Sequence, residues 1–143
     1  MRILFDTNVV LDVLLDREPF SSTAAKLFSK VESGEISGYV CATTITTIHY
    51  LACKVIGADS AKEEINNLIQ LFDIAPVNRA VLGTAVSSDF KDFEDAVVHE
   101  SSVYIEAQGI VTRDLNGFKK SNIQVYSPEE LLLMLESKSS STS

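Results

Sequence analysis

Short apolar runs, RILF, GYVCAT, DIAPV, GIVTRD and IQVY, alternate along this chain with longer segments whose apolar residues recur at helical spacing. That alternation restricts the fold more than any other feature. Parallel neighbours in a sheet need a crossover connection, and a helix of a dozen residues supplies it. In RILF the apolar residues Ile3, Leu4 and Phe5 are consecutive rather than alternating with polar ones, as in a strand buried on both faces. The expected architecture is α/β, a parallel sheet covered by helices on both sides.

The helical segments carry their own punctuation. In SSTAAKLFSKVESG, Ala24, Leu27, Phe28 and Val31 share a face, with serines at the start and Gly34 at the end. TITTIHYLACKVIG places Ile45, Ile48, Ala52, Val55 and Ile56 at helical spacing, and Gly57 closes it. DSAKEEINNLIQLF has Asp59 or Ser60 as cap and Ile65, Leu68, Ile69 and Phe72 as its stripe. A short helix is expected over residues 78–87, and another from DFED that ends at Gly109. In SPEELLLMLES, Ser127 caps and Pro128 takes the first helical position. Residues 1–136 are expected to form one domain, and the polar stretch SKSSSTS, 137–143, a disordered tail.

At 143 residues, with 45% hydrophobic and 22% charged, the chain suits a soluble globular domain. No apolar run reaches the ~18–20 residues that span a bilayer. Asp6, Asp12 and Asp16 interrupt any signal-peptide core, so a cytoplasmic location is expected. Cys41 and Cys53 match no metal or redox spacing and read as reduced thiols. A net charge of −8 excludes a surface that clings everywhere to nucleic acid. It is compatible with an acidic pocket that holds a metal, and with a basic partner segment.

Acid gathers at particular places. ILFDTN and GIVTRD each read as a strand that ends on a carboxylate, Asp6 and Asp114. Ligands of open α/β sheets bind at those carboxyl ends, where the strand order reverses. A third group, DFED, opens a helix, with Asp92 and Asp95 on one face. Taken singly, each acid is an ordinary cap or turn residue. Together they repel one another and are costly to desolvate, which a divalent cation relieves. Oxygen ligands without histidine or cysteine favour magnesium or manganese. Arg113 is the structural counter-reading, a basic neighbour that compensates the acid. Asn8 and Thr112 stand close enough to the strand ends to hold a carboxylate, a water or a phosphate. His49 and His99 lie on helices among apolar residues and read as structural.

The blocks ILFDTNVVLDVLLDREPF, DFEDAVVHESS and GIVTRDLNGFKKSNIQVYSPEELL, in this order, resemble the PIN-domain family, which includes ribonuclease toxins of bacterial toxin–antitoxin pairs. The resemblance implies a three-layer α/β/α sandwich with a central, mostly parallel sheet of four to five strands. It implies Mg2+ or Mn2+ and endonucleolytic cleavage of RNA by a metal-activated water. Its acidic residues fall on Asp6, Asp95 and Asp114 as the catalytic and metal-holding set, with Asp92 beside them and Asn8, Thr47 and Thr112 around them. Dimerisation and an antitoxin with a basic segment are further implications. The family's glutamate falls on Thr47 in TTIHYLA, which brings no charge; Asp92 or Asp12 stands as its substitute. A catalytically inactive module that binds RNA or protein is the alternative that Thr47 motivates. Phosphoryl transfer of the haloacid dehalogenase kind would need an aspartate where this chain has Asn8.

Overall fold

A computed structural model describes residues 1–141 of the chain. In chain order the elements are β1 (Arg2–Phe5), α1 (Thr7–Leu14), α2 (Ser21–Glu32), β2 (Ser37–Cys41), α3 (Ala42–Ile56), α4 (Ala58–Leu71) and β3 (Asp73–Ala75). There follow α5 (Arg79–Ser87), α6 (Phe93–Tyr104), β4 (Gly109–Val111), a 3-10 turn (Asn116–Phe118), β5 (Val125–Tyr126) and α7 (Pro128–Ser141). The five strands order as β3-β2-β1-β4-β5, and every pairing is parallel. The expected α/β sandwich is thus present. No helix among the described residues is long and apolar enough to cross a membrane.

Strand alternation divides the core in two. Ile3 and Phe5 of β1 face one layer with Val40 and Val111, against α1, α2, α3, α4 and α7. Leu4 faces the other with Cys41, Ala75 and Ile110, against α5 and α6. Because β1 is central, all three of its apolar side chains are fully buried. Each such burial contributes roughly 1.5–3 kcal/mol relative to exposure. On the first face Phe5, Phe28 and Phe72 meet edge to face, with centroids 5.0–6.0 Å apart. Gly38 lets that cluster close on β2: a Cβ there would lie 2.7 Å from the Phe72 ring.

Four boundaries differ from expectation. The sequence reading assigns no element to residues 7–14, yet they form α1, capped by Asp6, whose Oδ1 accepts from the Thr7 N–H at 2.9 Å. Its valines weaken intrinsic helix propensity, and burial of Val9, Val10 and Leu11 overrides it. Helix α4 is not capped by Asp59 or Ser60. It starts directly from Gly57, whose φ of +86° turns the chain out of α3. Helix α6 stops at Tyr104 rather than Gly109, because Glu106 adopts a left-handed φ of +57° and Gln108 already bonds to Arg2 of β1. Strand β4 ends at Val111, so Asp114 lies beyond the strand, in the following loop.

The last helix is built as its sequence suggests. The Ser127 hydroxyl accepts from the Glu130 N–H at 3.1 Å, and Glu130 accepts from the Ser127 N–H at 2.8 Å. Helix α7 then continues through Ser141, past residue 136. Of the expected disordered tail, residues 142 and 143 lie outside the described residues.

Candidate metal and substrate cleft

The chain runs outward from β1 to β2 and β3, then returns to β4 on the other side of β1. The reversal lies between β1 and β4, and a cleft of about 470 Å³ opens at their carboxyl ends. Asp6, Asp92, Glu94, Asp95 and Asp114 all line it, together with Asn8 and Thr47. Every acidic residue expected at the site except Asp12 therefore shares one cavity.

Asp6 is buried and held from several sides. The Thr112 hydroxyl donates to its Oδ2 at 2.8 Å, and Asn8 Nδ2 approaches the same oxygen at 3.5 Å. Thr112 is fully buried and also accepts the Asp114 N–H at 2.9 Å. The turn reading and the site reading thus meet in one residue: Thr112 couples the end of β4 to Asp6 and to the loop that carries Asp114. Asn8 completes the link, since its Oδ1 accepts the Arg113 N–H at 3.1 Å and its Nδ2 donates to the Thr112 hydroxyl at 3.3 Å.

Helix α6 presents the other acids from its positive end. Asp92 is the N-cap, its Oδ1 accepting from the Asp95 N–H at 2.9 Å. Asp95 is half-buried in the first turn. Asp114 Oδ1 accepts the Gly117 N–H at 3.0 Å. Gly117 keeps the space between the two open: a Cβ there would meet Asp114 Oδ2 at 2.6 Å and Asp95 Oδ2 at 3.0 Å. Both carboxylates therefore border the same small gap.

Burial and mutual repulsion govern the titration of the cleft. Desolvation is the largest cause that raises the pKa of Asp6, opposed by the hydrogen bonds from Thr112 and the Thr7 N–H; the charges of Asp114 and Glu94 raise it further. Asp95 is pushed up to about 7, first by burial, then by Asp6, Asp92, Asp114 and Glu94. Among the described residues, no lysine or arginine forms an ion pair with Asp6, Glu94, Asp95 or Asp114. The arginines that line the cleft are engaged elsewhere.

That engagement corrects two expectations. Arg113 does not compensate Asp114: its Nε donates to Asp12 Oδ2 at 2.7 Å and its Nη2 to Asp12 Oδ1 at 3.1 Å. Arg17 Nε adds a bond to Asp12 Oδ1 at 2.9 Å. Asp12, fully buried and held by two guanidiniums, is not a substitute for the family glutamate. His99 is buried, bonded to Glu100 at 2.7 Å and set against the Phe90 ring, as a structural histidine would be. The nearer ring nitrogen of His49 lies 3.6 Å from the Cys53 sulfur.

The sequence reading misses Glu94. Its Oε1 receives the Thr47 hydroxyl at 3.4 Å, across the cleft from α6 to α3. Within DFED the periodicity draws attention to the pair three residues apart. Glu94 is offset from Asp95 by about 100° around the helix, and only the position of α3 shows that both face the cleft.

The donor set fits a hard cation: carboxylates, hydroxyls and an amide, with acids that form no ion pair to lysine or arginine among the described residues. Among the described residues, however, no three His, Cys, Asp or Glu side chains close into a metal cage. Magnesium needs only one or two direct carboxylates and retains several waters, so an open arrangement of this kind suits it better than a cage would.

Residues 2–116 match the family profile of the PIN domain. In structure the chain is similar to VapBC2 from Rickettsia felis bound to a DNA fragment from its promoter, with 9% identity, a TM-score of 0.67, and 89% of this chain and 98% of that one covered. It is similar to a toxin–antitoxin complex from Klebsiella pneumoniae, with 18% identity, a TM-score of 0.68, and coverage of 88% and 97%. It is also similar to the Sarcin-Ricin loop cleaving toxin VapC20 of Mycobacterium tuberculosis, with 15% identity, a TM-score of 0.62, and coverage of 76% and 86%. At such identities the likeness is one of fold. No curated protein matches the sequence.

Proposed function

The chain belongs to the PIN-domain family, and on that footing we propose that it is a divalent-metal-dependent endoribonuclease. The observation that carries this reading is the cleft at the β1/β4 reversal, which Asp6, Asp95 and Asp114 all line and where, among the described residues, none of them is ion-paired with a lysine or arginine. Asp6, Asp95 and Asp114, with Asp92 beside them, would hold Mg2+ or Mn2+. When bound, such an ion lowers the pKa of a nearby water and neutralises charge on a phosphodiester.

The chain's own residues have separable tasks. Thr112 and Asn8 hold Asp6 Oδ2 while the Thr7 N–H holds Oδ1, which fixes the carboxylate in the wall of the cleft. Asp95, with its raised pKa, is the carboxylate able to exchange a proton near neutrality. Phosphate enters from the side. A second pocket of about 490 Å³ shares Asp92, Asp95 and Asp114 with the cleft and adds Lys91, Lys119 and Lys120. In a chain with 20 acidic and 12 basic residues, three lysines beside the acidic centre suit an anionic strand that passes through it.

Replacing Asp6 with Asn tests the mechanism and leaves the helix cap in place, since both residues cap well. Manganese-dependent RNA cleavage should fall by more than about 100-fold, the upper end of what loss of a supporting partner costs a metal site. Equal cleavage by both proteins, each freed of contaminating nuclease, ends the reading.

A toxin role follows the same family reasoning, as the Klebsiella pneumoniae relative is a toxin–antitoxin complex. The acidic cleft would receive a basic segment of the antitoxin, and co-purification of a small basic protein tests this. Dimerisation belongs to the same proposal, with Leu82 and Val86 exposed on α5. Thr47 supports a second reading, a module that binds without cleaving. Calorimetry separates the two, because a purely structural module has no manganese affinity that depends on Asp6.

A further inference from the structure

The position at which the family carries a glutamate is Thr47, yet a carboxylate stands beside it. Thr47 lies on α3, where its hydroxyl is shared between the Thr43 carbonyl at 3.3 Å and Glu94 Oε1 at 3.4 Å. We propose that Glu94, from the first turn of α6, supplies the acidic charge that position 47 of α3 does not, and so serves as a further metal-site residue. The inference rests on the metal-dependent reading above.

Three observations support it. A glutamate side chain at position 47 would extend two bonds beyond the γ position that the threonine hydroxyl occupies. Glu94 Oε1 lies 3.4 Å from that hydroxyl, so a carboxylate stands within side-chain reach of position 47 from the opposite wall. Glu94 lines the cleft together with Asp6, Asp95 and Asp114, and its charge is felt by both Asp6 and Asp95. Among the described residues, no lysine or arginine forms an ion pair with it. As an ordinary first-turn acid it would have only the helix N-terminus for company, and nothing would direct it toward α3. The remaining candidate, Asp92, spends one oxygen on capping α6, while Asp12 is bound to two arginines.

The exchange has a chemical logic. Thr47 gives up a charge but keeps a hydroxyl that orients its replacement. The number of carboxylates around the gap stays the same, and so does the charge that a divalent ion must meet.

Manganese binding to the full-length chain, measured by titration calorimetry, tests this without reference to cleavage. Four proteins are compared: wild type, Asp6→Asn, Glu94→Gln and the double variant T47E/E94Q. Glu94 is exposed, so Glu94→Gln should fold as the wild type does, and circular dichroism verifies that. The expected result is about tenfold weaker manganese binding in Glu94→Gln. Recovery to within about threefold of wild type is expected in T47E/E94Q, because the charge returns to the cleft from α3. Wild-type affinity in Glu94→Gln, with affinity lost in Asp6→Asn, overturns the inference and leaves the metal-dependent reading intact. Loss in Glu94→Gln that T47E/E94Q does not repair also overturns it, since Glu94 then does not stand in for position 47. Wild-type affinity in all variants removes both.

Discussion

Asp6 caps helix α1 and Asp12 lies in its last turn; both are buried, and the chain treats them in opposite ways. Asp12 receives three hydrogen bonds from Arg17 and Arg113, and Arg113 is itself stacked 3.8 Å from the Phe20 ring. Among the described residues, the donors to Asp6 are neutral, and the charges that raise its pKa, Asp114 and Glu94, are acids. A buried carboxylate that serves the fold is paired with cations. One that is surrounded by further acid raises the free energy of the empty protein, and the difference marks where a ligand belongs. The two sites are also physically connected. By drawing Arg113 to itself, Asp12 keeps that guanidinium from pairing with the neighbouring Asp114.

The largest effect should come from breaking the compensated site. Asp12→Ala leaves two guanidiniums without their partner and should cost about 3 kcal/mol, the lower end for a broken buried pair because both arginines keep some contact with water. Urea denaturation measures it, and a loss below about 1 kcal/mol would show that Asp12 is no anchor. Thr112→Val then addresses the hold on Asp6. It removes a hydrogen bond to a charged, buried group, which is worth about 2 kcal/mol. An unchanged midpoint would mean that the Thr112 contact with Asp6 contributes nothing.

The uncompensated site should respond in the other direction. Burial and the neighbouring acids push Asp95 up to about 7 in the folded chain, from the ordinary aspartate value of 3.8. Between those values the folded state retains a proton that the unfolded chain has lost. Stability from this group therefore declines as pH rises from about 4 to 7 and stays lowered above that. Asp95→Asn removes the penalty. After allowance for the half-exposed position, the metal-free variant should melt about 2–4 °C higher than wild type at pH 8, with the gap closing toward pH 4. Saturating manganese should narrow or invert it, since a ligand of the native state stabilises only the protein that binds it. A variant that melts lower than wild type at pH 8 without metal contradicts the contrast drawn here.

The smallest effect on stability is expected in the lysine-lined pocket. Lys119→Gln with Lys120→Gln should change folding by less than about 0.5 kcal/mol, as exposed substitutions do. The salt dependence of binding to a single-stranded RNA, followed by anisotropy without divalent metal, should lose a slope of about 1.4, or 0.7 per lysine. An unaltered slope places the strand elsewhere.

The central strand was legible because RILF permits little else: a run apolar at each of Ile3, Leu4 and Phe5 has to be covered on both faces. The Ser127 cap of α7 was equally plain, since the N–H it accepts lies only three residues on. Helix α1 was not, because a segment with three valines owes its helicity to the core it faces rather than to propensity. The strand-end aspartate Asp6 could be found from its local pattern. Asp114 could be found too, although its setting was misread: the strand ends at Val111, and Thr112 makes the connection instead.

Local order along the chain thus determined the parallel sheet, its crossovers and which carboxylates lie near the strand ends, because each follows from periodicity within a few residues. The destination of the arginines was decided only in three dimensions, as was the approach of Glu94 to Thr47. A long charged side chain can reach many partners, and sequence spacing does not choose among them. What chooses is the relative placement of α1, α3 and α6 on the sheet, which brings Arg113 to Asp12 and leaves the acids of the cleft to one another.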